Sequence, residues 1–177
     1  LAEEMNQINP VAVSVVDTFG AMYQEDLERI VHVLNEKLNP QIRLGFHSHN
    51  NQQLSFALTM QFVELLQLTD RGCIVDASLC GMGRGAGNAT TELVANYLNL
   101  KQYCNYDMNQ IMDAIDMYMQ YFQENYTWGY STPYFIAGMY CCHVNNIAYL
   151  LKNHRTDALE MRNIIESLSP EERRKCD

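Results

Sequence analysis

Ile42-Arg43-Leu44-Gly45-Phe46-His47-Ser48-His49-Asn50-Asn51 is an apolar run that ends in two histidines spaced two apart. A short apolar run bounded by turn signals reads as a buried strand, here over Ile42 to Phe46, with the histidines where it ends. Alternate side chains of extended chain share a face, so both imidazoles project from one side. Such a pair can share zinc, manganese or magnesium if further ligands are supplied, and Asn50 and Asn51 are the nearest other donors. The same pattern also describes two surface histidines at a strand end. Spacing alone leaves both readings open.

The flanking sequence repeats the strand signal. Val11 to Val16, Val-Ala-Val-Ser-Val-Val, is a β-branched run that stops at Asp17-Thr18-Phe19-Gly20, and Leu1 to Ile8 reads as the end of a helix. Between the two strands, Leu27, Ile30, Val31, Leu34 and Leu38 recur at helical spacing over residues 23–38 until Asn39-Pro40 breaks the pattern. Residues 52–68 form a second predicted helix, and Thr69-Asp70-Arg71-Gly72 turns into a third strand at Cys73 to Leu79. A glycine-rich loop, residues 81–88, precedes a helix over residues 90–100. Strands alternating with helices predict a parallel sheet with right-handed crossovers.

After Lys101 the pattern becomes helical. A helix is expected over residues 108–125 and another starting near Pro133, and Ser169-Pro170-Glu171-Glu172 combines an N-cap, an N1 proline and a capping box. The organisation expected is an α/β part over residues 1–104 and an all-helical region over 105–177.

Composition narrows the function. With 47% hydrophobic residues the 177-residue chain can bury a core, and its formal charge of -9 repels a phosphate backbone, so no nucleic-acid partner is expected. Cys73, Cys80, Cys104, Cys141, Cys142 and Cys176 form no C-x-x-C pair and no disulfide framework, which fits a reducing cytoplasm. No apolar run is long enough to span a bilayer, and no membrane partner is expected. The opening Leu1-Ala2-Glu3-Glu4 is acidic where a signal peptide would be basic, and its lack of a methionine suggests a start internal to a longer polypeptide.

Gly81-x-Gly83-x-x-Ala86 fits a dinucleotide fingerprint, but its acidic residue is missing, because Asp107 lies between helical segments; a loop offering backbone N–H groups to an anion is the better reading. Asp17 and Thr18 end the first strand, on the same sheet edge as His47, His49 and the glycine loop, where parallel α/β folds bind ligands. Bracing of its own loop is as good a reading of Asp17 as chemistry. Tyr130 and Tyr134 flank Ser131-Thr132-Pro133, and packing is the default for both. His32, His143 and His154 lie in helical stretches and are expected to be structural or solvated. The methionines at 108, 112, 117 and 119 suggest core or interface.

Three segments together carry a resemblance: Val16-Asp17-Thr18-Phe19-Gly20-Ala21-Met22, Gly45 to Asn51, and Val75-Asp76 through Gly81-Met82-Gly83-Arg84-Gly85-Ala86-Gly87-Asn88 to Glu92. In order and spacing, over about residues 10 to 100, they resemble the second half of the DRE-TIM (HMGL-like) metallolyase superfamily. That group includes 4-hydroxy-2-oxovalerate aldolases, HMG-CoA lyases, isopropylmalate synthases and homocitrate synthases. The glycine loop is most similar to that of the oxovalerate aldolases, and Gly129-Tyr130-x-x-x-Tyr134 adds a weaker match to their C-terminal helices. The lyases' catalytic cysteine is absent from the loop, where Arg84 and Gly85 stand, as is the synthases' Gly-Glu-Arg.

The resemblance implies that the three strands are the last three βα units of a TIM (β/α)8 barrel, followed by the helical C-terminal region. A full barrel needs about 250 residues, so only part of one is expected. His47 and His49 would be ligands of a divalent metal, Mn²⁺ or Mg²⁺, and Thr18 and Asn88 would bind substrate. Tyr134 would help position or protonate the reacting oxygens. The Arg-Asp pair and the basic histidine of the superfamily's first strand have no counterpart here. The implied reaction is cleavage of a 4-hydroxy-2-oxo acid to pyruvate and an aldehyde, with this chain nearly inactive alone. Pairing with a missing N-terminal half, or a homo-oligomer, is expected. The alternatives are an acyl-CoA-dependent synthase or lyase of the same group, and a non-catalytic assembly module.

Overall fold

The computed structural model describes residues 1–175; Cys176 lies outside the described residues. Three parallel strands form one sheet in the order β1 (Ala12–Asp17), β2 (Arg43–Ser48) and β3 (Cys73–Val75). Helix α1 (Ala2–Ile8) precedes β1, and α2 (Gln24–Lys37) and α3 (Ser55–Gln67) make the crossovers. Register pairs Val15 with Phe46 and Val16 with His47.

Alternation along β1 and β2 sorts the two faces. Val15, Leu44 and Phe46 join Leu27 and Val31 of α2 and Leu58, Phe62 and Leu66 of α3 in the main core. Phe46 stacks on Phe62 with centroids 5.3 Å apart. Ser14, Val16 and His47 point to the other face, where Val16 is exposed and His47 half-buried.

Buried Arg71 joins this layer from the turn before β3. Its guanidinium donates to Asn35 Oδ1 and to the carbonyls of Asn35, Leu38, Asn39 and Ile42 at 2.5–2.9 Å. These include the last carbonyls of α2, which have no partner within the helix. One side chain thus closes the end of α2 and fixes the entry into β2.

Two expected boundaries change. The third strand ends at Val75 rather than Leu79, and Leu79–Gly81 is a 3₁₀ turn. The chain leaves the ladder because the Ser78 hydroxyl and N–H serve the glycine loop and the run to α4 (Thr91–Leu100): Ser78 Oγ donates to the Met82 carbonyl at 2.6 Å, and Ser78 N to that of Ala89 at 3.0 Å. The single helix expected over 108–125 is α5 (Met108–Ala114) and α6 (Gln120–Asn125) joined by a π turn, Ile115–Met119. The wider turn accommodates an extra residue, and it ends on buried Met119.

Helices α7 (Thr132–Met139), α8 (Val144–Lys152) and α9 (Ala158–Ser167) pack around Ile136, Cys142, Ile147, Met161 and Ile165. The short α10 (Pro170–Arg174) carries the expected capping box, with Ser169 and Glu172 bonded reciprocally. No helix among the described residues is long and apolar enough to cross a membrane.

Cys73 begins β3, and burial, reinforced by Cys104 nearby, pushes its thiol up to about 11. Because the thiolate is the nucleophile, iodoacetamide at pH 8 should modify Cys73 on the order of 100-fold more slowly than an unperturbed thiol. Peptide mapping of a time course would show exposed Cys104 labelled first; equal rates would contradict the burial.

Candidate functional site

The carboxyl ends of β1 and β2 meet the glycine loop. Asn50 N donates to the Gly87 carbonyl at 2.9 Å, Ala89 N donates to that of Ser48 at 3.3 Å, and His49 pairs with Asn88 in an antiparallel bridge. The loop is thereby zipped to the strand end that carries the histidines. Gly87 is required at this closure: its φ is +84°, and an added Cβ would stand 2.2 Å from the Gly81 carbonyl oxygen. Trp128 Nε1 donates to the Cys80 carbonyl at 2.9 Å and Gly129 N to that of Gly85 at 3.2 Å, so the segment before α7 holds the loop from outside.

Both histidines have Nδ1 engaged. His49 Nδ1 lies 2.9 Å from the Asp17 carbonyl, and His47 Nδ1 lies 3.3 Å from Asp76 Oδ2. Each partner is an acceptor, so each neutral ring keeps its proton on Nδ1 and presents the lone pair of Nε2. Metal-binding histidines are oriented in this way by a carbonyl or carboxylate behind them. The ring centroids are 5.0 Å apart.

These rings line a cavity of about 360 Å³ with Thr18, Arg84, Asn88, His143 and Val144. Asn88 Nδ2 donates to the Met82 carbonyl at 3.1 Å, while its buried Oδ1 has no hydrogen-bond partner. An orphaned acceptor beside two imidazole nitrogens is a donor set that suits a divalent cation. Among the described residues no group of three or more His, Cys, Asp or Glu could hold a metal.

The other candidates separate. Asp17 braces its loop, accepting from the amides of Ala21 at 2.9 Å and Met22 at 3.2 Å; burial pushes its carboxyl up and those two bonds oppose the shift. Asn50 and Asn51, the nearest donors in the sequence, do not line the cavity: Asn50 Oδ1 accepts from Ser55 at the start of α3, and Asn51 Nδ2 donates to the Phe19 carbonyl while its buried Oδ1 has no hydrogen-bond partner. Asp107 caps α5 by accepting from Asn109 N and Gln110 N. Tyr134 is half-buried in α7, with ring atoms 3.2 Å from where a Cβ on Gly85 would sit, so it backs the loop. Tyr130 is exposed.

His143 is a correction. It is not inside a helix but is the N-cap of α8, where its Nδ1 accepts from Asn145 N at 3.2 Å, and it lines the cavity. Burial, with Arg84 and His49 beside it, pushes its imidazole below the usual range. Arg84 and Asp76 belong to the motif segments but carry no signal of their own in the sequence. No local signal marks His143, because its proximity to His49 arises only from the packing of α7 and α8.

Known proteins resemble this chain in sequence and in fold. The 4-hydroxy-2-oxovalerate aldolase of Thermomicrobium roseum is 39% identical over 120 residues, which is 66% of this chain and 32% of that protein. That of Chloroflexus aurantiacus is 37% identical over 116 residues, 65% of this chain and 32% of that protein. The chain thus spans about a third of the length of the curated relatives it matches. A crystal structure of the N-terminal domain of a candidate aldolase from Bacteroides vulgatus superposes with a TM-score of 0.76 at 25% identity, over 93% of this chain and 50% of that one. The HMGL-like family model matches residues 1–117, which include all three strands, both histidines and the glycine loop. With two thirds of its length in that match, the chain belongs to the HMGL-like family.

Proposed function

We propose that this chain contributes the metal-binding and substrate-binding edge of an aldolase that cleaves a 4-hydroxy-2-oxo acid to pyruvate and an aldehyde. The observation that carries the reading is the pair His47 and His49, each held through Nδ1 so that Nε2 is the ring nitrogen left for a ligand. The similarity to 4-hydroxy-2-oxovalerate aldolases supports the substrate class. The three strands are then the last three of a TIM barrel over residues 1–104, with 105–177 a helical region, and the remaining strands lie outside these residues.

In this reading His47 and His49 would hold Mn²⁺ or Mg²⁺, with Asn88 Oδ1 as a further donor. Such a cation, when bound, supplies Lewis-acid polarisation of the 2-oxo group. Thr18 donates its hydroxyl to the substrate carboxylate. Asn88 orients the oxygens at the glycine loop. Tyr134 packs behind that loop and positions it. A base from outside these residues takes the 4-hydroxyl proton as the carbon–carbon bond breaks.

Pyruvate release from 4-hydroxy-2-oxopentanoate with Mn²⁺ tests this. The chain should be almost inactive alone and active when joined to the N-terminal half of the Thermomicrobium roseum relative. Equal rates for the two would overturn the partial-domain reading. A strict requirement for an acyl-CoA would replace the aldolase with a Claisen-type synthase or lyase.

A further inference from the structure

Arg84 stands at the cavity with nothing to neutralise it. Among the described residues its guanidinium takes part in no ion pair and no hydrogen bond. Arg29 and Arg155, by contrast, pair with Asp26 and Glu160, and Arg71 is saturated by carbonyls. His143, next to it, has Nδ1 occupied as an acceptor from Asn145 N, so its ring proton sits on Nε2 as a donor. None of the residues lining the cavity is acidic, although the chain as a whole carries a formal charge of -9. Asp76 and Asp17 sit behind the histidines, so the positive charge of the lining is that of Arg84, and an unpaired guanidinium flanked by donors attracts anions.

One carboxylate does not account for this lining. On the aldolase reading, Thr18 and a cation at the histidine pair would take the 2-oxo carboxylate. The cavity of about 360 Å³ falls in the size range of ligand sites larger than pyruvate. An unpaired guanidinium recognises carboxylate through a planar, two-pronged fork.

Resting on the aldolase reading above, we propose that Arg84 and His143 form a second anion-binding arm of the cavity. The substrate class is then a 4-hydroxy-2-oxo acid with a second carboxylate at the end remote from the 2-oxo group. Arg84 determines this specificity and His143 supports it with its Nε2–H.

Calorimetric titration of the full chain with Mg²⁺ tests the proposal, using 4-hydroxy-2-oxopentanedioate, 4-hydroxy-2-oxopentanoate and pyruvate as probes. The dianion should bind about 10-fold more tightly than the pentanoate, as one charge-assisted pair allows. Arg84→Gln should erase that preference, and His143→Gln should reduce it. Arg84 is exposed, so an unchanged thermal melt should accompany Arg84→Gln. Equal affinity of the wild type for both acids would overturn the proposal, as would equal losses for both in Arg84→Gln, which would put Arg84 on the shared carboxylate. The underlying reading is judged separately: pyruvate should bind the wild type and not His49→Ala, and pyruvate binding unaffected by that change would sink the 2-oxo acid site itself.

Discussion

Replacing Arg71 by methionine should lower the unfolding free energy by about 3 kcal/mol, because several carbonyls lose a charged donor together. Five acceptors lose the guanidinium at once, Asn35 Oδ1 and the carbonyls of Asn35, Leu38, Asn39 and Ile42, although the Asn39 carbonyl keeps its bond from Ile42 N. Methionine fills much of the space but donates nothing, so the carbonyls at the end of α2 are left in a crowded, poorly hydrated place. Arg71→Lys should recover only part of the loss, because a single ammonium cannot span acceptors on α2 and at the start of β2 together. Urea unfolding followed by far-UV circular dichroism measures both variants. A loss under about 1 kcal/mol for Arg71→Met would mean that water replaces the guanidinium freely.

Mn²⁺ affinity should fall about 100-fold in His49→Ala, and Asp76→Asn should weaken it less, by about 10-fold, as is usual for a group that orients a ligand rather than being one. His49 is held at 2.9 Å by the Asp17 carbonyl, which no side-chain substitution removes, whereas His47 depends on the Asp76 carboxylate. Electron paramagnetic resonance of free Mn²⁺ gives both affinities. Undiminished binding in His49→Ala would remove the metal site from the reading.

The strands and the histidine pair were legible in the sequence because they depend on local rules. β-branched runs placed β1 and β2, helical periodicity placed α2 and α3, and extended geometry put His47 and His49 on one side. The end of β3 was not legible, since Val75 through Leu79 remains apolar enough for a strand and only the hydrogen bonds of Ser78 end it. The π turn at Ile115–Met119 leaves the composition of its helix unchanged. Arg71 resembled any turn arginine until the end of α2 was folded over it. His143 and Arg84 illustrate the same limit at the site, where two segments far apart in sequence share one cavity.

The bond from Trp128 to the Cys80 carbonyl has a spectroscopic consequence. Trp128 is the chain's single tryptophan, and its indole is moored to the glycine loop that borders the histidine pair. Intrinsic emission at long wavelength therefore comes from one chromophore, stationed beside the site. The protein carries its own optical probe of that loop, with no label needed.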